Sequence, residues 1–375
     1  MSIIFQPLKI GSMEVKNRTV RSATYEGMAD EIGAPTEPLM TMTEDLAKGE
    51  VGLVVPGFFY VSPEGKGTPH QSSIATDETI PSIKKMVDRV HDAGSKVCAQ
   101  IVHCGRQTNP DWIGGQTPLG PSPVTFAPTG ITPREMTLED IHRVIDAFGQ
   151  AALRAKKIGF DAVQLHSAHG YLLSAFNSGY TNRRTDEYGG SPEKRMRMVL
   201  EVYRKVRESV GPDYPVMIKL NSADYIEGGT TIDESKIIAL RLAEEGMDAI
   251  EMSGGIVEGS KRSAWTGIKT EEEEAYYLPY AEEVKRLVGD RAKVIAVGGF
   301  KSPRVVERVL EEGRADFVAL SRPLIREPFL VKTWKEGDMK RADCISCNLC
   351  LSEVMTGGRT RCHPLEKERA KLQKK

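Results

Sequence analysis

The sequence lacks a long hydrophobic run, a charge excess and a recognisable export signal. No apolar stretch in its 375 residues approaches the roughly 18–20 residues that a membrane-spanning helix needs. The 51 Lys and Arg against 52 Asp and Glu give a formal net charge of −1, which offers no general surface for a polyanion. The opening MSIIFQPLKIGS has neither a basic segment nor a long apolar one. We therefore expect a cytoplasmic protein that binds neither membranes nor nucleic acid.

Cysteine is scarce and unevenly placed. Cys98 and Cys104 flank a predicted strand, whereas the other four of the six cysteines crowd together later, at Cys344, Cys347, Cys350 and Cys362. Without an export signal we expect a reducing compartment, where clustered cysteines more often hold a metal than form disulfides. The C-x2-C-x2-C-x11-C spacing suits a [4Fe–4S] cluster. Zinc is the alternative ligand, and unligated thiols are a third interpretation.

Short apolar runs alternate with helical patterns along the chain. Eight such runs predict strands, at Arg18–Ala23, Val51–Gly57, Val97–His103, Asp161–His166, Pro215–Asn221, Asp248–Ser253, Lys293–Gly298 and Asp316–Ser321. Continuously apolar segments such as Leu53-Val54-Val55 are typical of parallel strands buried on both faces. Eight strand–helix units predict an α/β fold, the (β/α)8 TIM barrel. A doubly wound sheet is the alternative, but Ser22-Ala23-Thr24 replaces the Gly-rich turn typical of that fold.

Helix signals lie between these strands. Thr137 is expected to cap a helix with an apolar stripe on one face. Ser191-Pro192 and Ser302-Pro303 each predict a serine N-cap followed by a proline in the first turn. Gly313 predicts the end of the helix that begins at Ser302-Pro303.

Two segments depart from the regular alternation. The connection Cys104–Met136 contains six prolines, and a loop of this length is more often a functional lid or wall than a connector. The barrel is expected to be complete by residue 335. Residues 336–375 then form a Cys-rich C-terminal extension with a charged tail, Glu366–Lys375.

The fourth predicted strand ends in the segment His166-Ser167-Ala168-His169-Gly170-Tyr171. The reactive side chains of (β/α)8 barrels lie at the carboxyl ends of their strands. Two imidazoles can donate hydrogen bonds to a carbonyl oxygen, and a nearby phenol can give up a proton. The alternative is a pair of histidines satisfied by neighbouring backbone.

Two polar residues stand within otherwise apolar strands. Gln100 carries an amide that suits the edge of a heterocycle, and Lys219 inside a barrel must meet an anion or an electron-rich ring. The alternatives are a Gln bonded to backbone and a Lys that faces the surface. Gly298-Gly299 and Ser321-Arg322, after the seventh and eighth strands, predict a phosphate site of the usual barrel type.

The longest motifs resemble the old yellow enzyme family of FMN-dependent oxidoreductases. The matching stretches lie between Phe5 and about Pro328 and include Pro7–Gly11, Gln100–Arg106, His166–Leu172, Asn182–Ser191 and Asp316–Pro328. The Cys-rich segment is similar to the iron–sulfur branch of the family, which includes 2,4-dienoyl-CoA reductase and trimethylamine dehydrogenase.

The resemblance implies the roles of individual residues. His166 and His169 would hold the substrate carbonyl, and Tyr171 would protonate the α-carbon while reduced flavin N5 delivers hydride to the β-carbon. Gln100 would contact the pyrimidine edge of the flavin, and Lys219 its N1 and O2. Tyr25 stands where the family usually has Cys or Thr, so it adds a phenol to the substrate pocket. The residues implied to bind FMN are Ser22, Ala23, Thr24, Tyr25, Phe58, Gln100, Lys219, Gly298, Gly299, Ser321 and Arg322.

These expectations combine into an FMN-dependent ene-reductase that uses NAD(P)H and a small enone or enoyl-type substrate. The alternative within enzymes is an amine or demethylating dehydrogenase that passes electrons through a [4Fe–4S] cluster to an external partner. Outside these classes stand an electron-transfer module and a non-flavin barrel enzyme for a phosphorylated sugar, neither of which explains the long motif matches. We also expect a homo-oligomer.

Overall fold

The computed structural model describes residues 2–373, and a parallel barrel is its central feature. The strands of this part of the chain are β1 (Leu8–Ile10), β2 (Met13–Val15), β3 (Thr19–Arg21), β4 (Leu53–Val54), β5 (Phe59–Tyr60), β6 (Lys96–Val102), β7 (Leu119–Gly120), β8 (Arg134–Glu135), β9 (Ala162–Ser167), β10 (Val216–Asn221), β11 (Ala249–Ser253), β12 (Lys293–Val297) and β13 (Phe317–Leu320).

Eight of these described strands close into a ring. They pair in parallel in the order β3, β4, β6, β9, β10, β11, β12 and β13, and β13 pairs back onto β3. Each coincides with one of the eight predicted apolar runs. Residues such as Leu53, Val54 and Val294 are fully buried, because the helices cover the outer face of the strands and side chains fill the inner face. The (β/α)8 prediction is therefore confirmed.

Helices surround the barrel and continue beyond it. In the described residues they are α1 (Glu37–Lys48), α2 (Ile80–Asp92), α3 (Leu138–Ile158), α4 (Leu172–Asn177), α5 (Pro192–Arg195), α6 (Arg197–Val210), α7 (Ile232–Glu244), α8 (Leu278–Val288), α9 (Pro303–Glu311), α10 (Arg322–Arg326), α11 (Leu330–Lys335), α12 (Leu349–Met355) and α13 (His363–Leu372). Short 3-10 turns occur at Ile3–Phe5, Pro63–Gly65, Asp77–Thr79 and Pro110–Trp112.

The helix-start predictions had mixed outcomes. Thr137 caps α3 as predicted: its Oγ1 accepts from Asp140 N at 3.1 Å, and Asp140 Oδ2 accepts from Thr137 N at 2.9 Å. Ser191 and Ser302 stand at the predicted N-cap positions with a proline in the first turn, but neither makes a side-chain cap hydrogen bond. Ser302 Oγ instead donates to Glu274 Oε1 at 2.8 Å, because this buried carboxylate lies over the start of α9.

The barrel interior has an apolar lower level and a polar upper level. Apolar side chains at the amino ends of the strands, including Leu53, Ala162 and Phe317, pack against one another. The hairpin of β1 and β2 packs on the same cluster and closes that end of the barrel. One pleat higher, the inward positions carry Gln100, Gln164, Lys219 and Glu251. The carboxyl ends of the strands therefore open above a polar layer.

Two segments build the walls above this layer. The predicted wall, Cys104–Met136, folds over the barrel mouth, where Trp112 and Phe126 face the central cavity. The C-terminal segment is tied to barrel loops by backbone hydrogen bonds from Ala342 N to Lys301 O at 3.0 Å and from Thr360 N to Glu26 O at 2.8 Å.

Among the described helices, none combines the length and the apolar character that crossing a membrane requires.

Candidate active site

A cavity of about 820 Å³ opens at the carboxyl end of the barrel, within the size range of small-molecule and cofactor sites. It brings together most of the predicted site residues, which come from widely separated parts of the chain. Those that line it are Ser22, Ala23, Thr24, Tyr25, Phe58, His166, His169, Tyr171, Lys219, Gly298, Gly299, Ser321 and Arg322. Gln100 does not line the cavity.

The histidine–tyrosine motif converges on one wall of this cavity. His169 and Gly170 have φ angles of 61° and 82°, so the chain turns sharply between the two histidines and Tyr171. The ring centroid of His166 lies 5.2 Å from that of His169 and 4.8 Å from that of Tyr171. Phe58 packs against this group: its ring centroid lies 5.6 Å from that of His166 and 5.3 Å from that of Tyr171. Two imidazoles and a phenol thus face the same space.

Neighbouring groups orient the two imidazoles. Ala168 N donates to His166 Nδ1 at 3.3 Å, so neutral His166 carries its proton on Nε2. Nε2 of His169 lies 2.8 Å from Ser253 Oγ, and the backbone N–H of His169 donates to Asn221 Oδ1 at 3.2 Å. Ser253 was missed by the sequence analysis, although it ends a predicted strand on the same rim.

Burial determines the protonation states of this wall. Burial, followed by the charges of His169 and Lys219, lowers the pKa of His166 well below its usual range. Burial and the Lys219 charge lower the pKa of His169 to about 3. Burial, followed by Cys104 and Tyr25, raises the pKa of Tyr171 above its ordinary value. At neutral pH the wall therefore presents two neutral imidazoles and a protonated phenol.

A buried polar network lies beneath the cavity. Lys219 Nζ donates to Ser22 Oγ at 2.7 Å and lies 3.1 Å from Glu251 Oε1. Gln164 Nε2 donates to Glu251 Oε2 at 2.9 Å, and Gln100 Nε2 donates to Gln164 Oε1 at 2.7 Å. Lys219 thus meets an anion inside the barrel, as its position predicted. Gln164 and Glu251 were not predicted as site residues, because their only signal in the sequence is a polar residue at an inward position of an apolar strand.

Gln100 lies in this network rather than at the cavity surface. Its side chain is fully buried, and its Oε1 has no hydrogen-bond partner among the described residues. A buried acceptor without a partner costs free energy unless a ligand or water satisfies it.

The residues predicted to bind a phosphate group lie on the side of the cavity opposite the histidine–tyrosine motif. Gly298 and Gly299 have φ angles of 123° and 79°, and a Cβ on Gly299 would lie 2.8 Å from the Tyr276 ring. Glycine is therefore the residue that fits here. Arg322 Nη1 donates to Trp265 O at 2.7 Å, and Ser321 Oγ lies 2.6 Å from Thr24 Oγ1. A cation, a hydroxyl and glycine backbone together suit a phosphate group.

The four clustered cysteines line a second, smaller pocket beside the first. Cys344, Cys347, Cys350 and Cys362 all face it, and all four are free thiols. The left-handed φ angles of Ser346 and Asn348, 54° and 59°, curve the chain around this pocket. Among the residues that the structure describes, no three His, Cys, Asp or Glu side chains are grouped as ligands of a metal ion.

Arg322 and Asn348 form the boundary between the two pockets. Both residues line the large cavity and the cysteine pocket, and Arg322 Nη1 donates to Asn348 Oδ1 at 2.5 Å. The two predicted sites therefore share a wall. Cys98 belongs to the lower barrel interior and Cys104 to the large cavity, so neither joins the cluster.

Known proteins share this fold and sequence over nearly the whole chain. A profile of the family described as NADH:flavin oxidoreductase / NADH oxidase matches residues 3–341. An NADH oxidase from Thermoanaerobacter brockii is 39% identical over 363 residues, which cover 96% of this chain and 55% of that protein. An NADPH dehydrogenase from a Geobacillus species is 34% identical over 329 residues, covering 88% of this chain and 92% of that protein.

Solved structures give the same result. A complex of 2-naphthoyl-CoA reductase superposes with a TM-score of 0.90 at 31% identity, covering 96% of this chain and 56% of that one. Histamine dehydrogenase from a Rhizobium species superposes with a TM-score of 0.85 at 29% identity. This match covers 96% of this chain and 52% of the dehydrogenase chain. This chain thus spans just over half the length of several relatives that it matches.

Given the profile match and these identities, the chain belongs to the NADH:flavin oxidoreductase / NADH oxidase family, in line with its resemblance to old yellow enzyme.

Proposed function

We propose that this chain is the FMN-binding part of an NAD(P)H-dependent ene-reductase that saturates the C=C bond of an α,β-unsaturated carbonyl compound. The observation that carries the proposal is the convergence of His166, His169 and Tyr171 on one cavity wall. This wall offers hydrogen-bond donors and a proton source side by side. An activated alkene needs both, because its oxygen gains negative charge as its β-carbon receives hydride.

The protonation states of the wall suit this chemistry. Neutral His166 presents an Nε2–H donor, since its Nδ1 accepts from backbone. A positioned donor binds the substrate oxygen more strongly as negative charge develops on it. Tyr171 keeps its proton because burial raises the pKa of its phenol. It can therefore deliver that proton to the α-carbon as a general acid.

The floor and the far side of the cavity suit FMN. Lys219 and Ser22 would lie against the electron-accepting part of the ring. Gly298, Gly299, Ser321 and Arg322 would hold the phosphate. A flavin bound there would carry hydride from the co-substrate NAD(P)H to the β-carbon.

The decisive experiment separates the two halves of the reaction. Purified protein is reduced anaerobically with NADH or NADPH and then mixed with 2-cyclohexenone, while flavin absorbance and products are followed. The proposal expects a yellow protein that is bleached by the nicotinamide and reoxidised by the enone, with cyclohexanone as the product. A reduced protein that the enone leaves bleached would contradict it.

One observation favours the amine or demethylating dehydrogenase as a second candidate. The cysteine pocket shares Arg322 and Asn348 with the large cavity, so a redox cluster there would lie next to the flavin site. Reduction of the protein by a tertiary amine, with an artificial acceptor taking the electrons, would favour this candidate. Oxidising an amine gives no role to a protonated phenol beside the α-carbon, so Tyr171 favours ene reduction.

We further propose that Cys344, Cys347, Cys350 and Cys362 hold a [4Fe–4S] cluster, with zinc as the alternative. The shared pocket and the spacing of the four thiols support this assignment. Residues 1–335 would then act as the FMN-binding barrel, and residues 336–375 as the extension that carries the cluster. Such a cluster implies an electron-transfer partner, either a further domain or a separate protein. A homo-oligomer remains part of the proposal, to be tested by light scattering.

A further inference from the structure

Glu251 is a fully buried carboxylate in the middle of the barrel interior. It lies on β11 in direct register with Lys219 on β10. Both carboxylate oxygens have partners. Oε1 accepts from Ser22 Oγ at 2.7 Å and lies 3.1 Å from Lys219 Nζ, and Oε2 accepts from Gln164 Nε2 at 2.9 Å. A buried charge with this set of contacts is held in one place.

Glu251 does not itself reach the cavity, but two of its partners do. Lys219 and Ser22 line the cavity, whereas Glu251 and Gln164 lie behind them. Lys219 Nζ is held between Ser22 Oγ and Glu251 Oε1, so the carboxylate determines where the ammonium stands. Glu251 can therefore act on a bound molecule only through its neighbours and through its charge.

The charge of Glu251 opposes that of Lys219 at the floor. A lone cation beneath a flavin would favour the reduced form, which carries more negative charge than the oxidised form. With a carboxylate 3.1 Å behind the ammonium, the floor carries an ion pair of zero net charge. Charges in a buried site interact more strongly than charges in water, so this pairing should be measurable.

We propose that Glu251 is a positioning residue that orients Lys219 and Ser22 and, by offsetting the Lys219 charge, weakens the preference of the site for reduced flavin. This inference rests on the proposed flavin site but not on the identity of the oxidising substrate. The role differs from a structural one, because it predicts a change in redox preference and not only in stability.

The test is the midpoint potential of the bound flavin in Glu251→Gln, measured by anaerobic dye-linked titration. Glutamine keeps the shape of the side chain and removes its charge. We expect reduced flavin to bind at least tenfold more tightly relative to oxidised flavin than in the wild type, a rise of about 30 mV for a two-electron couple. Glu251→Asp keeps the charge and should shift this ratio less than twofold. Glu64→Gln is the matched control, since Glu64 is a buried carboxylate outside the cavity lining, paired with Arg143.

Each result supports or overturns the inference. An unchanged or lower potential in Glu251→Gln overturns it, as does an equal rise in the Glu64→Gln control. If Glu251→Gln loses its flavin, Glu251→Asp decides: retained flavin with a near wild-type potential supports the role, and lost flavin or a tenfold shift overturns it. A wild-type protein that binds no flavin would refute the proposed function together with this inference. A flavin-binding protein that no enone oxidises would refute ene reduction alone.

Discussion

The ring of Tyr171 meets the ring of His166 nearly edge-on, with centroids 4.8 Å apart and an interplanar angle of 80°. This contact places a phenol beside an imidazole whose Nδ1 already accepts from backbone, so the Nε2–H of His166 is its donor. One residue can therefore bind a carbonyl oxygen while the other protonates a nearby carbon.

Replacing Tyr171 with Phe should slow reoxidation by an enone and spare reduction by NAD(P)H. Only alkene reduction consumes a proton at the α-carbon, and a positioned general acid typically contributes about 10²–10⁴-fold. Stopped-flow measurement of the two half-reactions separates the effects. Tyr280→Phe is the control, because Tyr280 lies on α8 outside the cavity lining. Equal slowing of both half-reactions in Tyr171→Phe would argue against a proton-donor role.

Removing the imidazoles should weaken the binding of carbonyl and phenol-type ligands. Each hydrogen bond to a ligand oxygen contributes about 1 kcal/mol, so His166→Ala and His169→Ala should each raise the dissociation constant about fivefold. Titration of flavin absorbance with p-hydroxybenzaldehyde measures this constant. A double variant that binds the ligand as tightly as the wild type would show that the histidines do not hold the substrate.

The buried His169 should make the stability of the flavin-free protein depend on pH. Burial and the Lys219 charge lower the pKa of His169 to about 3, whereas an unfolded His titrates near pH 6.5. Between these values the unfolded chain binds more protons, so this contribution is complete above pH 6.5 and is lost as pH falls towards 3. The slope approaches about 1.4 kcal/mol per pH unit.

Comparison with His169→Asn isolates this contribution from other groups. Burial raises the pKa of Glu26 to about 7, which gives a slope of opposite sign, but this slope is common to both proteins. Urea unfolding at pH 7.0, 6.0 and 5.0 should show the wild type losing more free energy of unfolding than the variant. Parallel pH profiles for the two proteins would contradict the assigned pKa.

Glycine at position 299 should be required for the phosphate site. A Cβ there would lie 2.8 Å from the Tyr276 ring at a φ of +79°. Gly313→Ala is the matched control, since Gly313 has a φ of +66° and no atom within 4 Å of its Cβ position. Both variants should lose about 1–2 kcal/mol of stability from backbone strain, and Gly299→Ala should lose more, because its Cβ also clashes with the Tyr276 ring. Only Gly299→Ala should bind FMN at least tenfold more weakly, as measured by flavin fluorescence.

The cysteine pocket should bind iron without being needed for the flavin. Cys347→Ser is expected to lose iron and acid-labile sulfide while it retains FMN, because a cluster in this pocket and a phosphate in the large cavity would share a wall but not their ligands. Cys98→Ala is the control, since Cys98 packs in the lower barrel interior. Anaerobic purification followed by iron, zinc and sulfide analysis measures the outcome. Zinc in place of iron would refute the cluster assignment.

The barrel and the convergence of the histidine–tyrosine motif could be predicted because their signals are local. Continuously apolar runs marked the eight strands, and His166, His169 and Tyr171 lie within six residues of one another at a strand end. The capping box of α3 is equally local, since Thr137 and Asp140 are three residues apart. In each case nearby residues carry the whole pattern.

The features that the sequence analysis missed depend on residues distant in the chain. Glu251 and Ser22 are 229 positions apart, and their contact follows from barrel closure rather than from any local pattern. Ser302 is the N-cap of α9 as predicted, but Glu274, from a preceding loop, accepts its hydroxyl hydrogen bond. Gln100 lies beneath the cavity surface, where Gln164, its register partner on β9, accepts its amide hydrogen bond.

The most direct test of the central claim follows the two hydrogens into the product. The reaction is run with nicotinamide cofactor deuterated at C4 in H2O, and separately with unlabelled cofactor in D2O, using 2-methylcyclohexenone. The account predicts that cofactor deuterium appears at the β-carbon and solvent deuterium at the α-carbon, with turnover strongly reduced in Tyr171→Phe. Cofactor deuterium at the α-carbon, or no saturated ketone from the reduced wild-type protein, would contradict it.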